Sequence, residues 1–147
     1  MLVTTKERRA TTARAANADI DAHIKGFCNT FIRKEFRERW TYWLRDRPDK
    51  GRTELHKFHA HHDPRLCHIT KTVDVTATRL RRQVDVDTAL VFTSSMRFPE
   101  IVPIDEALER NEPYPEDAII SVVPGSVAVV FSHDGLCWIC QRRREQA

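Results

Sequence analysis

Residues 30–46, TFIRKEFRERWTYWLRD, show the clearest helical periodicity in this sequence. At about 100° per residue, the large apolar side chains fall on one face about 120° wide, and most charged side chains fall opposite. This apolar stripe consists of Ile32, Phe36, Trp40, Trp43 and Leu44. The pattern predicts one amphipathic helix over residues 30–46, with the apolar stripe facing the core.

The residues on either side indicate where this helix begins and ends. An earlier set of apolar residues recurs at helical spacing and consists of Ile20, Ile24, Phe27 and Phe31. Because glycine inside a helix costs about 1 kcal/mol relative to alanine, Gly26 is predicted to end a short first helix. Pro48 disfavours the helical conformation in Arg47, so the second helix should stop there.

The remaining chain shows a helical pattern first and strand patterns later. The predicted elements are a helix from Thr53 to the Asp63-Pro64 pair, a strand at 69–75, a short helix at 76–84, a strand at 89–93, a helix at 103–110, and strands at 118–123, 126–131 and 136–141. The sequence therefore predicts an α+β fold, in which a helical N-terminal half packs on a sheet formed by the C-terminal half. We expect that sheet to be mainly antiparallel with about four to five strands, and the apolar stripe to cover one face.

The composition is that of one ordinary domain. The chain has 147 residues, of which 41% are apolar and 31% charged, enough to form a core without disulfides or metal. We expect residues 1–18 to be a disordered or frayed tail, residues 19–141 a single domain, and residues 142–147 a basic tail. No apolar run reaches the roughly 18 residues that span a bilayer, and no signal core is present. A cytoplasmic protein without membrane association is predicted.

The cysteines do not form a recognisable metal or redox motif. The four are Cys28, Cys67, Cys137 and Cys140, and their irregular spacing without signs of secretion favours reduced thiols. Cys137 and Cys140 lie in a predicted strand, whose alternation points the two sulfurs to opposite faces. We therefore expect them to be buried structural residues.

Five of the seven histidines lie between His56 and His68, in the segment HKFHAHHDPRLCH. Histidine and carboxylate are ligands for zinc and other divalent metals, and His59 and His62 share a face if a helix continues through them. The candidate metal ligands are His59, His62, Asp63 and His68. The spacing matches no common zinc template. The alternative is that His62 packs against Leu55 and Phe58 while the others are solvated.

Charge is distributed unevenly along the chain. Residues 1–82 contain 19 Lys/Arg and 10 Asp/Glu, whereas residues 83–134 contain 2 and 10. Such opposition can hold two halves of a domain together, or present a basic face to an acidic partner. The arginine run at 142–144 adds a further basic cluster. The candidate partner-binding residues are Arg33, Arg37, Arg39, Arg79, Arg81 and Arg82.

These patterns favour a small intracellular, non-enzymatic interaction protein whose basic helical half engages an acidic protein or a nucleic acid. Neither a Walker A loop nor a dinucleotide fingerprint occurs, and no cofactor is expected. The alternative is a metal-dependent hydrolase or nuclease that uses zinc or another divalent metal. Its residues would be His56, His59, His61, His62, Asp63 and His68. A homodimer that buries spare apolar surface is a third possibility.

Overall fold

The protein folds around a six-stranded antiparallel sheet. The structure is a computed structural model and describes residues 19–72, 75–111 and 115–144. The strands are β1 (Cys67–Thr72), β2 (Thr88–Thr93), β3 (Glu100–Pro103), β4 (Ala118–Val123), β5 (Val127–Phe131) and β6 (Cys137–Arg142). Their order across the sheet is β1-β6-β5-β4-β2-β3. The predicted α+β fold is confirmed. The predicted tail at 1–18 lies outside the described residues, as do residues 73–74 of the first predicted strand and 145–147 of the basic tail.

The sixth strand is β3, which the sequence pattern did not reveal. It has only four residues, ends in Pro103 and lies at the edge of the sheet beside β2. A short edge strand needs no alternating apolar pattern, and proline is tolerated there because one side of the strand makes no ladder hydrogen bonds. Arg142, assigned to the basic tail, instead ends β6.

Helices cover the sheet on both faces. They are α1 (19–31), a 3-10 turn (Lys34–Phe36), α2 (Arg37–Thr41), a π-helical turn (Tyr42–Asp46), α3 (Pro48–Gly51), a 3-10 turn (Leu55–Lys57), α4 (Phe58–His61), α5 (Ala77–Gln83) and α6 (Ile104–Glu109). Thr76 caps α5 by accepting a hydrogen bond from the Arg79 amide at 3.1 Å. None of the helices in the described ranges has the length and apolarity required to cross a bilayer.

The prediction of one helix over residues 30–46 is wrong at its start. Thr30 and Phe31 belong to α1, and the chain becomes extended at Arg33, where ψ is 144°. Backbone pairing causes the break, because the Arg33 amide donates to the His61 carbonyl at 2.8 Å. In return the Asp63 amide donates to the Phe31 carbonyl at 2.9 Å. From Lys34 to Asp46 the chain is helical as predicted.

Gly26 does not end a helix. Helix α1 continues through it, and a Cβ at this position would lie 2.6 Å from the backbone nitrogen of Gly125. Gly125 sits in the β4–β5 turn with φ of +70°, a conformation that favours glycine. The absence of a side chain at Gly26 thus allows α1 to contact the turn directly.

The core consists of two clusters on opposite faces of the sheet. The first contains the apolar stripe, with Phe36 partly buried, the apolar residues of α1, and sheet residues such as Phe92 and Ile119. The second lies beneath α5 and α6 around Leu80 and Ile104. All four cysteines are buried. The prediction that the apolar stripe covers one sheet face is confirmed.

Replacing Trp40 should destabilise the protein strongly. Trp40 is fully buried, and its ring packs against Phe27, Trp43 and Phe58. We expect Trp40→Ala to lower the free energy of unfolding by about 3 to 5 kcal/mol. Urea denaturation followed by circular dichroism measures this loss. A loss below about 1 kcal/mol would contradict burial of the stripe.

Replacing Gly26 with alanine should destabilise the protein, although a glycine-to-alanine change normally stabilises a helix. In an unconstrained helix this change stabilises by about 1 kcal/mol, but here the new Cβ collides with the Gly125 backbone. We expect a net destabilisation of about 1 to 3 kcal/mol in the same assay. Ala22→Gly, at an exposed position of α1, is the control and should cost only the propensity difference. A stabilised Gly26→Ala protein would rule out the contact.

Candidate functional site

A basic groove of about 1240 Å³ lies where the start of β1 meets the end of β6. It is lined by Arg65, His68, Ser126, Val127, Gln141, Arg142, Arg143 and Arg144. Strand pairing creates it, since Cys67 lies opposite Arg142 and the Arg143 amide donates to the Leu66 carbonyl at 2.8 Å. The arginine run near the C-terminus is thereby brought to the turn that carries Arg65.

Arg143 is held in a defined position within this basic groove. Its Nε donates to the Pro64 carbonyl at 2.9 Å, and its Nη1 lies 2.8 Å from His68 Nε2. A guanidinium group has no acceptor, so His68 Nε2 must accept this hydrogen bond through its lone pair. The side chain is therefore oriented before any ligand arrives, and its remaining N–H groups are available to an anion.

The described residues supply the basic groove with no neutralising carboxylate. Among them, no Asp or Glu lines the groove, and no ion pair involves Arg65, Arg142, Arg143 or Arg144. Positive charges gathered without counter-charges repel one another, and a bound anion relieves that repulsion. The arrangement is suited to binding an anion.

The basic surface continues from Arg65 toward the 3-10 turn at Lys34–Phe36 and the start of α2. Arg65 also lines a depression of about 240 Å³ together with Arg33, Lys34 and Arg37. Two acidic residues, Glu35 and Asp63, line it as well, and Asp63 lies 3.8 Å from the Arg37 guanidinium. Arg33 Nε donates to the His62 carbonyl at 3.1 Å, and Arg37 Nε donates to the Ile32 carbonyl at 2.9 Å. Two of the predicted partner-binding residues, Arg33 and Arg37, therefore lie beside the basic groove.

The other predicted partner-binding residues lie elsewhere. Arg79, Arg81 and Arg82 belong to α5, which covers the opposite face of the sheet from α1 and α4. Arg81 makes an ion pair with Asp105 at 3.2 Å, and Arg79 Nη1 donates to Thr72 Oγ1 at 2.9 Å. Arg39 is exposed on α2 and lines neither the basic groove nor the neighbouring depression. The six predicted arginines thus do not form one surface.

Sequence reasoning missed Arg65 and His68 as members of the basic groove. Arg65 follows the Asp63-Pro64 turn, and an isolated arginine in a turn carries no signal of its own. The cluster at 142–144 was visible in the sequence. Its partner across the groove depends on which strand pairs with β6, and single-sequence periodicity does not determine that.

The candidate metal ligands point to different partners. His59 packs on Trp138 with ring centroids 4.0 Å apart, while His62 Nδ1 lies 2.9 Å from the His59 carbonyl. Asp63 Oδ1 accepts a hydrogen bond from the Arg65 amide at 2.9 Å, and His68 contacts Arg143. Within the described ranges, no group of three or more His, Cys, Asp or Glu is placed to hold a metal ion. The geometry therefore offers the metal prediction no support.

His61 is a structural residue of the core. Trp40 Nε1 donates to its Nδ1 at 2.9 Å, and its ring stacks on Phe36 at a centroid distance of 3.8 Å. Burial lowers the pKa of His61, and the nearby charge of Arg39 lowers it further. Burial also lowers the pKa of His23, whose Nδ1 lies 2.7 Å from Ser121 Oγ. Both rings are therefore held in their neutral form.

Comparison with protein-family models, curated proteins and solved structures gives no significant match to this chain. Its function must therefore be inferred from the basic groove and from the other surfaces of the described residues.

Acidic pH should destabilise the protein through His61. Because its folded-state pKa lies below the ordinary value of 6.5, the unfolded chain binds more protons as the pH falls below that value. Protonation also removes the lone pair that accepts the Trp40 N–H. We expect the free energy of unfolding to decrease between about pH 7.5 and about pH 5.

His61→Gln isolates this effect, since a glutamine oxygen can accept the indole hydrogen bond without titrating. The variant is needed because His133, whose pKa is raised by its hydrogen bond to Asp117, contributes with the opposite sign. Urea denaturation of both proteins across the pH range measures the difference. An unchanged pH dependence in the variant would contradict the role of His61.

Proposed function

We propose that this protein is a small non-enzymatic interaction protein whose basic groove binds an acidic partner. The observation that supports this proposal is a groove lined by four arginines and a histidine, with no carboxylate among the described residues that form it. In such an environment each added phosphate or carboxylate finds unpaired guanidinium donors. Action in the cytoplasm belongs to the proposal as well and rests on the sequence alone.

Nucleic acid is the partner that the groove chemistry favours over an acidic protein. All the strongly basic residues of the basic groove are arginines, and a planar guanidinium group can bind two phosphate oxygens at once. The neighbouring depression adds Arg33, Lys34 and Arg37, which together with Arg65 outnumber its two carboxylates, Glu35 and Asp63. Such an extension of the basic surface suits a repeating polyanion. Among the described residues, no Phe, Tyr or Trp lines the basic groove, so contacts to the phosphate backbone are expected rather than stacking on bases.

The proposal predicts salt-dependent binding that is independent of base sequence. Fluorescence anisotropy with a labelled duplex of about 20 base pairs should show binding at about 50 mM salt and a marked loss at about 200 mM. Because each lost phosphate contact removes nearly one unit of slope, changing Arg65, Arg142 and Arg144 to Gln should reduce the salt slope by about two to three. The affinity at low salt should fall at least about tenfold.

The matched control changes Arg79, Arg81 and Arg82 to Gln. It removes the same charge from the opposite face of the sheet and should reduce affinity much less. Equal losses in both triple variants would show attraction by net charge alone and contradict a groove site. Absence of duplex binding at low salt, or stronger binding of polyglutamate than of the duplex, would reject nucleic acid as the partner.

A further inference from the structure

A second pocket lies at the other end of the β5–β6 hairpin from the basic groove. It has a volume of about 210 Å³ and is formed between the segment around α4 and the hairpin loop. We call it the histidine pocket. It is lined by Leu55, His56, His59, Asp117, Val130, Phe131, Ser132, His133, Asp134, Leu136 and Trp138. Since it shares no lining residue with the basic groove, ligand binding in the histidine pocket is independent of the proposed function.

The walls of the histidine pocket are largely apolar. Trp138 is half-buried and its ring lies 4.0 Å from the His59 ring, centroid to centroid. Leu55 and Val130 are buried beside it, and Leu136 and Phe131 complete the walls. Sites for drug-sized ligands have volumes of about 300 to 1,000 Å³. The histidine pocket is smaller than these sites and suits a ligand whose apolar part is about the size of one aromatic ring.

Two carboxylates face one imidazole at the mouth of the pocket. Asp117 Oδ1 accepts a hydrogen bond from the His133 amide at 3.1 Å and lies 3.2 Å from His133 Nδ1. Asp134 Oδ1 lies 3.4 Å from His133 Nε2. These contacts leave Asp117 Oδ2 without a hydrogen bond or ion pair among the described residues, although the side chain is only 17% exposed. One carboxylate oxygen therefore remains available in a partly desolvated setting.

The remaining polar groups of the pocket can also accept hydrogen bonds. Burial lowers the pKa of His59, so its ring is neutral near pH 7 and carries one nitrogen lone pair. Ser132 Oγ is buried and has no hydrogen-bond partner within the described part of the chain. A buried hydroxyl without a partner is uncommon in folded proteins and often indicates a missing ligand or water. With two carboxylates against one imidazole, the pocket carries an excess of negative charge.

We propose that the histidine pocket binds a small organic amine, with its ammonium group paired to Asp117 and its apolar body placed against Trp138. The two carboxylates disfavour an anionic ligand. A bare metal ion is disfavoured because, among the described residues, no three suitable ligands converge. An ammonium group supplies three hydrogen-bond donors and one positive charge, which match the acceptors and the charge of the pocket.

The test compares benzylamine with benzyl alcohol, which has the same ring but no charge. Each is titrated into the full-length protein and followed by two-dimensional ¹H–¹⁵N NMR. Benzylamine should bind saturably, with shifts at Ser132, His133 and the Trp138 indole. Its affinity should exceed that of benzyl alcohol by at least about tenfold, the factor expected of a charge-assisted hydrogen bond. Equal affinities, or shifts located elsewhere, would overturn the proposal.

Asp117→Asn removes the charge with little change of shape and should weaken benzylamine binding by at least about tenfold. The control is Asp105→Asn, an exposed carboxylate on α6, which should leave the affinity unchanged. Because Asp117 also supports the hairpin loop, Asp134→Asn is a second variant at a more exposed position. It should weaken binding about twofold to fivefold. Unchanged benzylamine affinity in folded Asp117→Asn, or in Asp134→Asn if the former does not fold, would overturn the proposal.

Discussion

Two backbone hydrogen bonds between the ends of α1 and α4 organise the helical half of this protein. The Arg33 amide donates to the His61 carbonyl, and the Asp63 amide donates to the Phe31 carbonyl. Terminal backbone groups of buried helices must find partners, and here each helix end satisfies the other. The same pairing places His61 beneath the apolar stripe, where it accepts the Trp40 N–H. A break in the helical pattern and a buried imidazole thus have one cause.

The path of the chain after this pairing creates the basic groove. Asp63 accepts hydrogen bonds from Arg65 and Cys67 and so forms the turn that leads into β1. Because β1 then runs antiparallel to β6, its first residues meet the arginine run at 142–144. The positive charges of the basic groove therefore come from segments far apart in the chain. The predicted division of the chain into a basic half and an acidic half therefore does not account for this surface.

Apolar contacts, not the opposition of charge, hold the two halves together. Among the described residues, Arg81–Asp105 is the one Lys/Arg ion pair that joins the basic region 1–82 to the acidic region 83–134. Both of its side chains are exposed, and exposed pairs contribute about 0 to 1 kcal/mol. By contrast, the first core cluster packs Trp40 and Phe27 of the helical half against Phe92 and Ile119 on one face of the sheet. The uncompensated charge remains on the surface, where partners can reach it.

Side-chain periodicity was sufficient to predict the apolar stripe, four of the strands closely, α5, α6 and the α+β class, because it is a local property that survives in any context. The break at Arg33, the continuation of α1 through Gly26, the edge strand β3, the basic groove and the histidine pocket became visible only in the folded chain. Each of these depends on a contact between residues far apart in the chain, such as Gly26 with Gly125 or His59 with Trp138. Periodicity indicates which face of an element is buried, but strand pairing decides which charged and polar side chains meet.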